Sequence, residues 1–393
     1  MIDLENKKIS SAQFVDAYFP VVDGVVRVVS SYANTFTKQG NECCVVAPRT
    51  KGYIDNEPFE VLRTSSFTVP VFEYCVPMPD RKSRKIKKYL KTHKFDIYHL
   101  HSPFTMGTFA IKLAKKNKVP VVATFHSKYY DDFLSITKSP KFSRFLVKVI
   151  LKVYNKADAV WTLNESSATT LREYGFKKEI TVIPNGTDYV IPGNIAELEE
   201  NASKKYNITK EDNCLLYVGH LIWQKNLKLI FDTLKVLKDQ AFPFKMLIVG
   251  DGYNEKAIKK YANELDLDDV VFFLGEITNK EELHGIYSLS DLFFFPSLYD
   301  TFSLVVREAA VLKTPSLLSK GANACDGVTD NLDGFIEEAS PMAMALRIKK
   351  IFSDRDVIVK VGENAALNIP LKWTDVIKKV EKQYQEVINN FKK

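Results

Sequence analysis

Short, wholly apolar runs alternate along the chain with longer segments whose apolar residues recur every three or four positions. The short runs read as buried strands and the longer ones as amphipathic helices. In the first half the strands are "AQFVDAYFP" (strand, then loop), "ECCVVAP", "FDIYHLH", "VPVVATFH", "DAVWTLN" and "ITVIPNG". The helices between them are "GVVRVVSSYANTFTKQG" (closed by Gly40), "SRKIKKYLKTHK", "GTFAIKLAKKNK", "RFLVKVILKVYNKA" and "ESSATTLREYG". The fourth of these carries apolar residues at 145, 146, 149, 150 and 153. Continuously apolar strands between helices indicate a parallel sheet covered on both faces.

The stretch "NGTDYVIPGNIAELEENASKK" reads as a linker, after which the alternation restarts with "CLLYVGH", "NLKLIFDTLKVLK", "FKMLIVGDG", "NEKAIKKYANELD", "VVFFLGE", "EELHGIYSLS", "DLFFFPS" and "TPSLLS". The last segment, "WTDVIKKVEKQYQEVINNF", reads as one long amphipathic helix. The predicted class is α/β: two doubly wound, Rossmann-like domains over 1–195 and 196–370, facing across a cleft, with a terminal helical segment over 371–393. Ligands of such sheets bind beyond the carboxyl ends of the strands.

Composition narrows this reading. A chain of 393 residues is too long for one ordinary core. No run of 18 apolar residues predicts a membrane span, and "MIDLENKKIS" has neither the apolar core nor the cleavage site of a secretory signal. The five cysteines (Cys43, Cys44, Cys75, Cys214, Cys325) are scattered without metal-ligand spacing, as expected of reduced thiols in a cytoplasmic protein. Residues 1–190 hold 29 Lys+Arg against 18 Asp+Glu, and residues 191–393 hold 26 against 30. Only the first half is suited to an anionic surface.

Candidate chemistry lies at strand-to-helix junctions. In "DLFFFPSLYDTFSLVVREAA", a helix opening near Phe302 leaves the amides of Ser303, Leu304 and Val305 free for a phosphate. Glu308 is placed to accept hydrogen bonds from a neutral diol, and Asp300 from a sugar hydroxyl. The plainer alternative is that Asp300 caps the helix and Glu308 is solvated. In "YVGHLIWQKNL", Gly219 ends a strand and Lys225 follows in the loop, as a phosphate partner or a solvated lysine. Gly24, in "FPVVDGVVRVV", permits close approach of backbone to a ligand. His126 and His101 end strands and are site candidates or hydrogen-bonded core residues; His99 and His93 read as core.

These residues together resemble retaining glycosyltransferase family 4, whose members share the GT-B fold. The resemblance spans nearly the whole chain, through "DIYHLHSPF", "ATFHSKYYDDF", "ITVIPNGTD", "YVGHLIWQKN", "LIVGDG" and the E-x7-E motif, met here by Asp300 and Glu308. It implies that Glu308 holds a nucleotide ribose, Asp300 the donor sugar, Lys225 the diphosphate, and Ile277 the base through its backbone. His126 would stand near the reacting sugar, and the final helix would cross back onto the first domain. No metal or cofactor is expected, because basic side chains and helix amides would neutralise the leaving diphosphate. The departures are Asp300 for the usual Glu, His220 where an arginine is usual beside the diphosphate, and Ser303 and Lys313 in place of glycines.

The resemblance implies transfer with retention of configuration from a UDP-sugar. For the acceptor, "TFHSKYYDDF" and "KGANACDGVTDNLDGF" look like the corresponding segments of bacterial diacylglycerol glucosyltransferases. The basic run containing Arg81, Lys82, Arg84, Lys85 and Lys88, with Ile86, Tyr89 and Leu90 at helical spacing, suits an anionic membrane surface or is a solvated helix face. The expectation is a UDP-hexose donor, UDP-glucose first, a membrane glycerolipid acceptor, and peripheral attachment at the inner face of the cell membrane. The alternatives are a transferase acting on a polysaccharide or small metabolite, and a non-catalytic nucleotide-binding protein. Nucleic acid is not an expected partner, since the basic run lacks stacking aromatics. The sugar's identity and the oligomeric state are open.

Overall fold

The computed structural model describes residues 8–68, 75–79, 83–209 and 211–391. The chain divides into two compact units, Met1–Asp188 joined by Leu371–Lys393, and Tyr189–Pro370.

The first unit is built on a parallel seven-stranded sheet. Its strands are β1 (Ser10–Phe14), β2 (Glu42–Pro48), β3 (Glu60–Thr64), β6 (Ile97–Leu100), β7 (Val121–Phe125), β8 (Ala159–Thr162) and β9 (Thr181–Val182), in spatial order 3-2-1-6-7-8-9. A small antiparallel pair, β4 (Ser66–Thr68) and β5 (Cys75–Pro77), lies outside it. The helices are α1 (Gly24–Lys38), α2 (Arg84–Thr92), α3 (Thr105–Asn117), α4 (Tyr129–Thr137), α5 (Pro140–Tyr154) and α6 (Glu165–Glu173). The second unit has a parallel six-stranded sheet of β10 (Cys214–Val218), β11 (Lys245–Val249), β12 (Val271–Gly275), β13 (Leu292–Phe295), β14 (Ser316–Ser319) and β15 (Phe335–Glu337), ordered 12-11-10-13-14-15. Around it run α7 (Ile195–Tyr206), α8 (Leu227–Asp239), α9 (Glu255–Glu264), α10 (Lys280–Leu289), α11 (Leu304–Val311), α12 (Pro341–Phe352) and α13 (Arg355–Asn368). Strands such as β10 and β13 are buried along their whole length, as the unbroken apolar runs require.

The final helix, α14 (Trp373–Phe391), belongs to the first unit. Its buried positions Trp373, Val376, Ile377, Val380, Tyr384 and Ile388 form one stripe at helical spacing. The stripe meets α1 through ring contacts of Tyr32 with Trp373 and Tyr384, and of Phe36 with Tyr384.

The structure adds β3, β4, β5, β15, α12 and α13, which the sequence pattern did not assign, and three further segments depart from expectation. The stretch read as a linker contains α7, whose Leu198 and Ala202 are buried against α10. Close packing there requires Gly285, because a Cβ at that position would lie 2.3 Å from the Leu198 carbonyl oxygen. Helix α4 was not read, being short and bounded by polar residues. In α5 the buried face is Ser143, Val147, Ile150, Leu151 and Tyr154, so Phe145 and Val149 of the expected stripe are exposed.

Candidate functional site

In each sheet the strand order reverses once, between β1 and β6 and between β10 and β13. At such a reversal the flanking loops splay apart and leave a crevice beyond the strand ends. In the second unit the loop after β10 carries Gly219, His220 and Lys225, and the loop after β13 carries Ser297, Asp300 and Ser303. Gly219, His220, Lys225, Asp300 and Ser303 therefore lie on the two loops at this sheet's topological switch point. The loop after β10 is held to the end of β11 by a main-chain seam: Gly219 N donates to Val249 O at 3.0 Å, and Leu221 N to Asp251 O at 2.7 Å. Gly250 (φ 131°) is required in this seam, since a Cβ there would sit 2.1 Å from Gly219 O.

Lys225 ends a single 3₁₀ turn, Trp223–Lys225, and reaches Asp300 with Nζ 2.5 Å from Oδ1. The other carboxylate oxygen accepts from Ser297 Oγ at 2.5 Å. Asp300 is thus not the cap of α11. The capping position is Ser303, in the left-handed region at φ 52° and without a side-chain cap bond. The Tyr217 hydroxyl donates to His220 O at 3.1 Å; burial, and secondarily the Asp300 charge, hold this phenol well above its usual range.

Helix α11 opens at Leu304, so its first amides have no intrahelical acceptor. Ser303 Oγ, on a residue 7% exposed, is buried beside them and meets no hydrogen-bond partner among the described residues. Arg307 braces the turn from beneath. Its guanidinium donates to Phe302 O and Asp326 O, both at 2.8 Å, and stacks 4.3 Å over the Phe302 ring. Burial pulls its pKa down to about 10. Glu308 is buried, not solvated, and accepts from Tyr287 Oη at 3.2 Å. The bracing arginine was not read from the sequence; the only signal was a charge inside the apolar run "LVVREAA".

The remaining candidates are placed as follows. Ile277 is half-buried beyond β12 and packs on the second unit's core. The His220 imidazole is exposed, 3.9 Å from Asp251. Gly24 is the first residue of α1, after Asp23, whose carboxylate accepts from Val26 N at 2.8 Å; a Cβ there would meet nothing within 4 Å. His126 lies in the first unit, buried one residue past β7, 3.0 Å from His101 Nδ1. His101 in turn contacts Gln13 Oε1 at 2.9 Å, while His99 lies 2.7 Å from both Tyr384 Oη and Thr124 Oγ1. Burial depresses all three histidines, His126 to about 3. Arg84, Lys85 and Lys88 are exposed on α2, but its apolar stripe, Ile86 and Leu90, is taken up by the core. That corrects the reading of α2 as an amphipathic membrane helix. Arg81 and Lys82 lie outside the described residues. No cluster of three or more metal-ligating side chains occurs among the described residues.

This architecture matches known proteins along both units. Residues 22–189 fit the model for Glycosyltransferase Family 4, and residues 199–367 that for Glycosyl transferases group 1. The chain belongs to these glycosyltransferases. It is 25% identical to an alpha-monoglucosyldiacylglycerol synthase of Streptococcus pneumoniae, over 97% of this chain and 87% of the relative. A second synthase of that description, from Acholeplasma laidlawii, is 23% identical over 83% and 82% of the two chains. Among solved structures, Anabaena HepE in complex with UDP and glucose superposes with a TM-score of 0.74 at 16% identity, covering 96% and 99% of the chains. A glycosyltransferase from Rickettsia africae gives 0.77 at 21%, covering 98% and 100%. The glycosyltransferase fold is GT-B, with one Rossmann-like parallel sheet in each unit. No helix among the described residues is long and apolar enough to cross a membrane.

Proposed function

We propose that the protein transfers a hexose, glucose first, from a UDP-sugar to a membrane glycerolipid such as diacylglycerol, with retention of configuration and without a metal. The observation that carries the donor half is the conjunction of Lys225, Asp300 and the open amino end of α11 at one switch point. In this reading the diphosphate takes the amides of Leu304 and Val305, the Ser303 hydroxyl and the Lys225 ammonium. Asp300 accepts from the sugar, Glu308 from the ribose hydroxyls, and Ile277 carries the base on its main chain. Fixed donors aimed at the leaving phosphate stabilise the charge that develops as the glycosidic bond breaks. The phosphate oxygen accepts the proton of the attacking hydroxyl on the same face. The acceptor half is supported by the two relatives described as alpha-monoglucosyldiacylglycerol synthases, and the donor by the HepE structure solved with UDP-glucose.

A second reading has its own support, since a Corynebacterium glutamicum relative is a GDP-mannose-dependent alpha-mannosyltransferase and a Staphylococcus aureus one serves capsular polysaccharide biosynthesis. A donor panel of UDP- and GDP-sugars, assayed for nucleotide release with and without diacylglycerol vesicles, separates the two. Lipid-dependent release from UDP-glucose is the expected result. Release from GDP-mannose alone, or label appearing only on water-soluble glycan, would replace the proposal.

A further inference from the structure

Helix α5 carries more apolar side chains than the core accepts. Outside its buried face, Phe142, Phe145 and Val149 are 50%, 57% and 42% exposed. At the α-helical repeat the three fall within an arc of about 60°, and Lys141, Arg144, Lys148 and Lys152 within an adjoining arc of about 80°. All four cations are exposed. The rings of Phe142 and Phe145 stack at 6.1 Å and 16°, forming one apolar plate. Helix α4 is tied to α5 through Thr137 Oγ1, 2.9 Å from Ser143 Oγ, and the preceding Ile136 is 62% exposed.

On the side of α2 and α3 the surroundings are purely basic, whereas α4, packed on α5, carries Asp131 and Asp132. Helix α3 contacts both α2 and α5: Lys87 Nζ of α2 sits 5.6 Å over the Phe109 ring of α3, and Gly107 of α3 packs against Val153 of α5. Helices α2, α3 and α5 carry five, three and four Lys or Arg, and no Asp or Glu. Solvated helices ordinarily mix signs, as α14 does with Lys378, Lys379 and Lys382 among Asp375, Glu381 and Glu386. Cations alone would fit any polyanion, but the phenylalanine plate needs an apolar phase next to it. A second copy meeting this face would oppose like charges. An anionic bilayer offers both partners at once: headgroup charge for the lysines and acyl chains for the rings.

We propose that α5, flanked by the basic faces of α2 and α3, is the surface on which the protein docks onto an anionic lipid bilayer. Phe142, Phe145 and Val149 enter the headgroup–acyl boundary there. The inference rests on the reading of the acceptor as a membrane lipid and adds the face and the inserting residues.

The test is flotation of the full chain with vesicles of equimolar phosphatidylglycerol and phosphatidylcholine, and with phosphatidylcholine alone. Binding is expected only to the anionic vesicles. The Phe142→Ser/Phe145→Ser variant should bind about tenfold or more weakly, and Lys141→Gln and Lys148→Gln about fivefold more weakly each. Its circular dichroism, melting and UDP titration should match wild type, since the rings are exposed and in the other unit from the donor residues. Absence of vesicle binding, equal binding by the phenylalanine variant, or a dimer in sedimentation that the same variant abolishes would each overturn the proposal. Transfer to diacylglycerol in detergent micelles is scored separately. Micellar transfer without vesicle docking removes this surface but keeps the acceptor, whereas docking without transfer removes the acceptor but keeps the surface.

Discussion

The ammonium of Lys225 and the carboxylate of Asp300 form a 2.5 Å ion pair, 14% and 16% exposed, at the place where the donor is proposed to bind. A diphosphate that takes Lys225 must share or break this pair, so the two residues should respond differently to substitution. Lys225→Ala removes a charged hydrogen bond to the diphosphate and should weaken UDP binding by about 10- to 150-fold. Asp300→Asn frees the ammonium, so UDP affinity should hold or rise. Turnover of the UDP-sugar should nevertheless fall about 10- to 100-fold, because the sugar loses a charged acceptor. Calorimetry with UDP and steady-state rates with UDP-glucose read the two effects. Equal loss of UDP affinity in both variants would show that the pair acts as one unit.

Glu308 is buried with Tyr287 Oη as one donor at 3.2 Å. A ribose diol is the neutral partner such a carboxylate can take, and hydrogen bonds to a charged group contribute about 1.5–3 kcal/mol each. Glu308→Gln is expected to lower UDP affinity about 10- to 100-fold and to erase the preference for UDP over 2′,3′-dideoxy-UDP. Tyr287→Phe should leave that preference in place. A Glu308→Gln variant that still discriminates against the dideoxy nucleotide would detach Glu308 from the ribose.

The sheets were legible because β10 and β13 are unbroken apolar runs, and α14 because Trp373, Val376, Ile377, Val380 and Tyr384 keep helical spacing. Lys225, Asp300, Ser303 and Glu308 were legible as positions because polar residues at strand-to-helix junctions stand out against those runs. Their pairing was not. Lys225 and Asp300 are 75 residues apart and meet only because β10 and β13 are neighbours in the sheet. Tyr287 gives no local sign of reaching Glu308, and the phenol reads as core. Helix α7 was hidden by its acidic residues, since Leu198 and Ala202 alone carry its buried face. Phe145 and Val149 of α5 depart from expectation for the opposite reason: periodicity identifies apolar faces, but not which of two faces a core has room for.

The histidine network makes the first unit sensitive to acid. His99, His101 and His126 are held neutral by burial, so their folded pKa values lie below the ordinary 6.5, His126 at about 3. Above about pH 6.5 they are neutral folded or unfolded and contribute no pH dependence. As pH falls from 6.5 toward 3 the unfolded chain binds more protons, and stability declines. One group opposes this: Asp16, raised by burial from 3.8 to about 6, favours the folded state as pH falls through that interval. Three histidines outweigh one aspartate, so the melting temperature should drop from pH 6.5 to 5. In His126→Asn the decline should be shallower by about 1.4 kcal/mol per pH unit. Parallel melting curves for the variant and wild type across this range would show that His126 is not buried neutral.

Two of the departures from the family pattern share a backbone cause, and they separate stability from binding. Ser303 (φ 52°) and Lys313 (φ 62°) both occupy the left-handed region that glycine adopts without cost. Lys313 closes α11 as a left-handed cap, with Lys313 N bonded to Ala310 O and Thr314 N to Ala309 O, both at 3.0 Å. Its exposed pairing with Glu363 at 3.6 Å is worth little. Lys313→Gly should therefore stabilise the second unit by about 1 kcal/mol, raise its melting temperature by about 2–4 °C, and leave UDP affinity unchanged. Ser303→Gly should relieve similar strain but also delete the buried hydroxyl beside the amides of Leu304 and Val305. If that hydroxyl donates to the diphosphate, the variant melts higher yet binds UDP several-fold more weakly. Calorimetric melting and UDP titration of the two variants read the split, and a Ser303→Gly protein that gains in both would show the hydroxyl obstructing the phosphate.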